Sequence, residues 1–326
     1  MAEFLDRARA LFAANPTSEC SNDLQRVFGA ISKLQSVHSK SELDIVNLES
    51  VFSAFEMAEL LKVPPSDRDL VHSMKRLIAW TLDEAVHFSV TAGKIVPSSP
   101  YRDFAALISK LASPKDRAPC CTVITFNYDL AVDVALHSAG LNPDYGLTEH
   151  SSGAVNLFKL HGSVSWHRCS EDSCKKIVPD VFPTPDRFFG TVPMKWSELK
   201  KQLGSQVVCC GKAVGGDSVI VPPSWNKAEY RSDLVKVWQR AAAELKSATS
   251  IVVCGYSLPE TDSFFRYLYG LGTVGGEPLE RFWVFDPSEV VHRRFRDLLG
   301  PGALARFEAH LVNFERALSH MNSTLP

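Results

Sequence analysis

An asparagine and a histidine each follow an apolar run of the chain, and both side chains can take part in chemistry. Asn127 is the third residue of Thr-Phe-Asn-Tyr-Asp and follows the run 120–126, while His161 is the third residue of Lys-Leu-His-Gly-Ser and follows 155–160. Short β-branched and apolar runs of this kind become buried parallel strands. Because the carboxyl ends of parallel strands line the ligand crevice of an open α/β sheet, the sequence predicts that both side chains converge on one cleft.

The imidazole and the amide each have a functional and a structural interpretation. An imidazole has an unperturbed pKa near neutrality, which suits His161 to general-base chemistry. Alternatively, His161 has its hydrogen bonds satisfied within a turn made by Gly162, and an asparagine at a strand-to-helix junction is often a helix cap. Asp129, two residues after Asn127, and the matching position of His161 favour the functional interpretation of both residues.

A third polar segment, Gly-Tyr-Ser-Leu over 255–258, follows the apolar run 250–254 and precedes a predicted helix. Gly255 would let a ligand approach the backbone closely, Ser257 offers a hydroxyl group, and a helix N-terminus favours phosphate. A plain strand-to-helix turn is the alternative interpretation. Asp286 ends a further apolar run in the same way, and its carboxylate can accept hydrogen bonds from hydroxyl groups.

Four cysteines occur in a segment that is rich in Cys, Pro, Gly and charged residues. They are Cys169 and Cys174, with four residues between them, and the adjacent pair Cys209 and Cys210. Four thiolates suit tetrahedral zinc. The adjacent pair departs from the usual Cys-x2-Cys spacing, so His167 is an alternative fourth ligand, and free thiols in a loop are the other interpretation.

Composition and charge exclude several classes of protein. The 326 residues include 35 basic and 37 acidic ones, and the formal charge of -2 gives no electrostatic footprint for nucleic acid. No run approaches the length of a membrane span, and residues 1–14 lack the apolar core of a signal peptide. We therefore expect a cytoplasmic protein that binds neither nucleic acid nor membrane, with cysteines as core residues or metal ligands.

The elements that must position these residues are a mainly helical region and an alternation of strands and helices. Residues 1–118 predict a helical N-terminal region, because apolar residues recur there at helical spacing. Strands and helices alternate over 119–163 and 217–326, which predicts a parallel sheet with flanking helices. Residues 164–216 have little periodicity and are interpreted as a small inserted module within one domain spanning 1–326.

The three motifs, in this order, resemble the sirtuin or SIR2-like family of NAD-consuming enzymes, and most closely its bacterial NADase branch. The resemblance covers about half of the chain, from Cys120 to Asp286. It implies an α/β fold with a Rossmann-like sheet and NAD as the substrate. The four cysteines lie where many members of the family carry a structural zinc ribbon.

The same resemblance assigns roles to particular residues. Asn127 would position the ribose and a water or acyl oxygen, and His161 would act as a general base towards the ribose hydroxyl groups. Asp286 would lie over the adenosine ribose, where members of the family usually have asparagine. The residues expected to contact NAD are Thr125, Phe126, Asn127, Asp129, Gly255, Tyr256, Ser257 and Asp286.

One feature of the family is missing from the N-terminal region. The family opens with a Gly-Ala-Gly-x-Ser loop around the NAD phosphates, and nothing over 1–40 resembles it. There are three explanations: a start site placed too far downstream, an expressed fragment, or a variant without cofactor binding. The helical pattern over 3–14 resembles the helix that would follow the loop, which favours a missing N-terminal segment.

Three functions are therefore expected from the resemblance, in this order. The first is a SIR2-like NAD glycohydrolase that produces nicotinamide and ADP-ribose, of the kind bacteria use in anti-phage defence. The second is an NAD-dependent protein deacylase, and the third is a non-catalytic module that binds a nucleotide or a partner protein. A homo-oligomer or a sensor partner protein is compatible with each of the three.

Overall fold

A computed structural model gives the fold of this chain. It describes residues 2–36, 48–65, 69–112, 121–148, 155–171, 173–174, 176–182, 191–203, 207–221, 228–259 and 263–325. Over these residues the chain is a mixed α/β protein with parallel sheets. None of the described helices has an apolar stretch of the length that would cross a bilayer.

The elements follow one another in this chain order. The first group is α1 (Ala2–Ala14), α2 (Ser21–Ser36), α3 (Leu48–Leu61), α4 (Leu70–Ala85), β1 (Phe88–Thr91), β2 (Lys94–Val96) and α5 (Ser99–Ala112). The second is β3 (Thr122–Thr125), α6 (Ala131–Ser138), β4 (Pro143–Asp144), β5 (Val155–Lys159), β6 (Gly162–Arg168), β7 (Ile177–Pro179), β8 (Thr191–Met194) and α7 (Trp196–Leu203). The third is β9 (Val208–Cys209), β10 (Lys212–Ala213), β11 (Ser218–Ile220), α8 (Ala228–Ser247), β12 (Ser250–Cys254), α9 (Ser263–Gly272), β13 (Arg281–Phe285), α10 (Glu289–Leu298), α11 (Pro301–Leu304), β14 (Phe307–His310) and α12 (Phe314–Thr324).

The chain divides into two compact units. Unit 1 comprises Met1–Ile95, Tyr128–Leu130 and His161–Ser232. It combines helices α1 to α4 with small sheets ordered β2-β1-β8, β11-β6-β7 and β10-β9. The helices enclose a buried apolar cluster that includes Phe52 and Met74, because their apolar residues recur on one face.

Unit 2 comprises Val96–Asn127, Ala131–Leu160 and Asp233–Pro326, and it contains two parallel sheets. One has the order β3-β5-β4, in which Thr125 lies opposite Lys159. The other has the order β12-β13-β14. Helix α6 connects β3 to β4, α9 connects β12 to β13, and α10 with α11 connects β13 to β14, which are crossover connections of the kind that parallel strands need. The carboxyl ends of β3 and β12 therefore place Asn127 and the segment 255–258 within one unit.

A buried ion pair joins helix α6 to strand β5 in unit 2. The Nζ atom of Lys159 lies 2.7 Å from Oδ2 of Asp133, and the hydroxyl group of Tyr145 donates to Oδ1 of Asp133 over 2.9 Å. The side chains of Lys159 and Asp133 are 1% and 0% exposed. A buried charge pair of this kind needs every partner in place, so it fixes α6 against the strand that leads to the His-Gly segment.

The structure confirms the strands that the apolar runs predict, and it adds a hairpin to the mainly helical N-terminal region. Strands β3, β5 and β12 lie within or coincide with the runs 120–126, 155–160 and 250–254. The region 1–118, predicted to be helical, also contains the hairpin β1-β2, and β1 pairs with β8 of the inserted module. The segment Phe88–Thr91 alternates buried and exposed side chains, which is a strand pattern inside a helical region.

Replacing Gly162 by alanine is expected to lower the free energy of unfolding by about 2 kcal/mol or more. Gly162 has a φ of +81°, and an added Cβ atom would overlap the carbonyl oxygen of Val219. Gly29→Ala is the matched control, because Gly29 lies within α2 with open space around its Cα atom. That substitution should stabilise by up to about 1 kcal/mol. Equal denaturant midpoints for the two variants would contradict the expectation.

Candidate functional site

An aromatic stack joins two of the predicted motifs at the carboxyl ends of β3 and β12. The rings of Phe126 and Tyr256 lie with their centroids 4.1 Å apart and their planes 9° apart. Phe265 packs edge-on against both rings, at 5.4 Å and 5.3 Å. Such offset and edge-on contacts stabilise aromatic groups beyond their burial. The stack therefore gives a rigid apolar base to this end of unit 2.

Asn127 lies beside this stack and is exposed. Its backbone N–H donates to Oγ1 of Thr125 over 3.2 Å, so the threonine hydroxyl group shapes the turn. Helix α6 begins only at Ala131, and Asn127 therefore does not occupy the capping position next to the helix. The amide side chain of Asn127 is available to a ligand, as its functional interpretation requires.

In the segment after β12, the backbone at Gly255 is open to approach, as expected for a ligand-binding turn. Gly255 has a φ of +64°, and the space that a Cβ atom would occupy is open. Its N–H donates to the carbonyl oxygen of Phe285 over 3.2 Å. The carbonyl oxygen of Ser257 accepts from Nη1 of Arg294 over 3.0 Å. Helix α9 is described from Ser263 onwards, and residues 260–262 lie outside the described part of the chain.

Asp286 lies directly after β13, at the same end of its sheet. Its Oδ1 atom accepts from the backbone N–H of Ser288 over 2.8 Å, and its own N–H donates to the carbonyl oxygen of His310 over 3.1 Å. One carboxylate oxygen therefore holds the turn into α10. A role for Asp286 at an adenosine ribose stays a prediction.

His161 belongs to unit 1, and its side chain is buried, with 4% of the residue exposed. Its carbonyl oxygen accepts from the N–H of Val221 over 2.8 Å, and its ring lies 6.1 Å from that of Tyr128. The hydroxyl group of Tyr128 also bonds to the carbonyl oxygen of Val221. Because Asn127 belongs to unit 2, a shared cleft for the amide and the imidazole stays a prediction.

A cavity of about 370 Å³ lies within unit 1, and its lining includes Asp129 of the Phe-Asn-Tyr-Asp motif. Its wall holds a polar network around Asp180, which is 6% exposed. Nε1 of Trp196 donates to Asp180 over 3.0 Å, and Nε2 of His167 and Nζ of Lys200 lie 3.2 Å and 2.9 Å from its carboxylate oxygens. Burial opposes the charge of Asp180, but these hydrogen bonds and the lysine hold its pKa below the usual range.

The Asp180 network was not predicted from the sequence. Its members are distant along the chain, and no spacing or apolar period connects an aspartate at 180 with partners at 167, 196 and 200. The sequence around a single aspartate in a segment without periodicity indicates neither its burial nor its partners. Among the described residues, the group of side chains close enough to hold one metal ion consists of four cysteines and does not include His167.

The four cysteines of the inserted module lie together in unit 1. The Sγ atoms of Cys169, Cys174, Cys209 and Cys210 are all within 4.8 Å of one another. The Sγ atom of Cys209 lies 3.7 Å from that of Cys174 and 4.0 Å from that of Cys210. Zinc–sulfur bonds of about 2.3 Å in a tetrahedron place the sulfur atoms about 3.8 Å apart. The residues present therefore fit a metal ion of this kind.

The backbone explains how adjacent cysteines reach one point. Cys210 has a φ of +53°, in the left-handed region, and Gly211 follows with a φ of +74°. This turn between β9 and β10 directs both thiols to the same side. A backbone hydrogen bond at Lys176 lowers the pKa of the Cys174 thiol to about 7, whereas a hydrogen bond with Cys169 raises that of Cys209 to about 12. Metal binding requires thiolates, so a bound cation would displace the protons of these thiols.

Comparison with known proteins gives a likeness in structure but not in sequence family. No protein family model matches the chain, and no curated protein matches it. Among solved structures, the chain is similar to one that concerns the structural basis of sirtuin substrate affinity, with a TM-score of 0.35 and 12% sequence identity. The similarity covers 71% of this chain and 70% of that one.

Proposed function

We propose that the chain is a SIR2-like protein that hydrolyses NAD to nicotinamide and ADP-ribose. The observation that carries the proposal is the stack of Phe126 on Tyr256, which brings the Phe-Asn-Tyr-Asp and Gly-Tyr-Ser-Leu motifs together at the carboxyl ends of parallel strands. Ligands of open α/β sheets bind at these ends. The exposed Asn127 and the open backbone at Gly255 lie beside the stack.

The proposed reaction breaks the bond between the ribose C1 atom and the nicotinamide nitrogen. The electron pair of that bond leaves with nicotinamide, and the ribose gains oxocarbenium character until a water oxygen bonds to C1. Asn127 would orient the ribose and this water, which lowers the entropy cost of attack. His161 would accept a proton from a ribose hydroxyl group or the attacking water, as a general base.

Replacing Asn127 by alanine is expected to reduce NAD hydrolysis by about 100-fold or more, because the attacking water and ribose lose their positioning group. Asn142→Ala is the matched control, since Asn142 is also exposed in unit 2 but directly precedes β4, at the amino end of that parallel strand. The measurement is chromatography of nicotinamide and ADP-ribose after incubation with NAD. Equal rates for the two variants would remove Asn127 from the mechanism.

Two further arms of this experiment separate the proposal from other functions. Release of nicotinamide only after an acylated lysine peptide is added would identify a deacylase. Binding of NAD or ADP-ribose by calorimetry without any turnover would identify a binding module. Either outcome contradicts the proposed hydrolase. A role in anti-phage defence, a sensor partner protein and a homo-oligomer rest on the resemblance and are proposed with it.

We also propose that Cys169, Cys174, Cys209 and Cys210 hold a structural zinc ion. Four thiolates complete a tetrahedral site and leave no position for a substrate. The ion would therefore hold the short β9-β10 ribbon against the end of β6, where Cys169 follows Arg168.

A further inference from the structure

The cavity of about 370 Å³ in unit 1 has a lining that NAD hydrolysis leaves largely unexplained. Among the described residues that line it, Asp129 is the one expected to contact NAD, and neither Asn127 nor His161 is present. Helices α4 and α7 and strands β1 and β6 supply most of its walls, all within unit 1. A volume of this size accommodates a small molecule. The cavity is therefore a second candidate binding site.

The side chains that hold the buried Asp180 also line this cavity. His167, Trp196 and Lys200 each approach its carboxylate within 3.2 Å, and all three belong to the lining. A carboxylate accepts hydrogen bonds, so Nε2 of His167 donates to Oδ1 of Asp180 and carries the proton of the neutral ring. His167 is 8% exposed, and its Nδ1 atom is buried without a hydrogen-bond partner among the described residues. This nitrogen is therefore an unused acceptor on a residue of the cavity wall.

The charge around the cavity favours a cation. Three carboxylates belong to the lining, those of Glu19, Asp83 and Asp129, whereas Lys200 is the one lysine or arginine among the described lining residues. Nζ of Lys200 lies 2.9 Å from Oδ2 of Asp180, so a carboxylate behind the wall already offsets its charge. The lining therefore carries an excess of negative charge, which attracts cations and repels anions.

The apolar part of the wall is aromatic. Trp80, Phe88 and Trp196 all belong to the lining, and the rings of Phe88 and Trp196 meet edge-on with centroids 6.3 Å apart. The hydrogen bond from Nε1 of Trp196 to Asp180 fixes the indole ring in place. Aromatic rings attract ammonium groups and also pack against apolar groups. The walls therefore suit a ligand that combines a positive charge with an apolar body.

We propose that this cavity binds a small protonated primary amine with an apolar body, whose ammonium group donates a hydrogen bond to Nδ1 of His167. An ammonium group has three N–H donors, so it can bond to His167 and to carboxylates of the lining at the same time. The aromatic side chains pack against its body. The proposal goes beyond NAD hydrolysis and does not depend on it.

Calorimetric titration of the full chain with 2-phenylethylamine tests the proposal. The neutral analogue 2-phenylethanol and the anion 3-phenylpropionate have similar apolar bodies and serve as control ligands. The amine is expected to bind about 10-fold or more tightly than the alcohol, because hydrogen bonds to a charged group are the stronger ones, and the anion should not bind. Equal affinities for the amine and the alcohol, or no binding of the amine at millimolar concentration, would overturn the proposal.

Three variants locate the bound amine. His167→Phe should weaken its binding by about 10-fold or more, because the acceptor is lost. Glu19→Gln should weaken it by about 2-fold, because Glu19 is exposed and its charge is screened. Glu315→Gln removes an exposed carboxylate from α12, outside the lining, and should leave the affinity unchanged.

Thermal unfolding shows whether His167→Phe keeps the fold, and Glu19→Gln changes an exposed side chain whose loss leaves the core intact. Unchanged affinity in a folded His167→Phe, or the same affinity in Glu19→Gln and Glu315→Gln, would overturn the proposed position of the ammonium group. Displacement of bound 2-phenylethylamine by NAD or nicotinamide would also overturn the proposal, because the cavity would then belong to the NAD site. Amine binding that persists in a chain without NAD hydrolysis would support the cavity as a separate site.

Discussion

Replacing Lys159 by methionine is expected to lower the free energy of unfolding by about 3–5 kcal/mol, which is a large part of the stability of a typical domain. The substitution leaves the carboxylate of Asp133, which is 0% exposed, without the ammonium group that lies 2.7 Å away. The hydroxyl group of Tyr145 then remains as its hydrogen-bond donor from a neighbouring side chain. One neutral donor does not offset the cost of desolvating a carboxylate.

The double variant with Lys159→Met and Asp133→Asn distinguishes a lost charge pair from lost packing. An asparagine at 133 keeps an acceptor for Tyr145 and removes the buried charge, so the double variant should recover at least half of the loss. Lys212→Met is the control for an exposed pair, because Lys212 and Glu171 are 67% and 39% exposed, and it should cost less than about 1 kcal/mol. Denaturant unfolding measures all three variants. A similar loss for Lys159→Met and Lys212→Met would show that the buried pair is not a major source of stability.

The strands of the fold were predictable because their signal is local. Strand β12 coincides with the apolar run 250–254, and β13 extends the run 282–285 by one residue, Arg281. Consecutive β-branched residues between polar turns leave few alternatives for a short segment. The hairpin β1-β2 was missed because four helices precede it and its partner β8 lies about 100 residues later, as Thr91 opposite Thr191 illustrates.

The contacts that build the candidate site were not predictable from sequence spacing. Phe126 and Tyr256 are 130 residues apart, and each alone is an ordinary apolar residue beside a turn. The partners Lys159 and Asp133 belong to different elements and have no sequence period that relates them. The strand ends could be identified, because a polar residue that directly follows an apolar run is recognisable within one short segment of the sequence. Pairing across the fold depends on packing, which a single sequence does not specify.

Loss of the proposed zinc ion is the second large effect that we expect. Cys174→Ser should remove about one zinc ion per chain and lower the melting temperature by about 10 °C, because structural zinc binding contributes directly to folding free energy. The four Sγ atoms within 4.8 Å of one another form the whole site, so losing one thiolate leaves only three ligands. Elemental analysis of the purified protein and thermal unfolding with and without a strong chelator measure both quantities.

Two control variants make the zinc result specific. Cys254→Ser removes one thiol from strand β12, outside the cluster, and should keep both the zinc and the melting temperature within a few degrees. His167→Gln should also keep the zinc, since His167 is not a member of the group of four cysteines whose ligand atoms lie within 4.8 Å of one another. Loss of zinc in His167→Gln would mean that the histidine, rather than one of the adjacent cysteines, completes the site. A protein free of zinc, with equal melting temperatures for Cys174→Ser and Cys254→Ser, would establish the cysteines as free thiols.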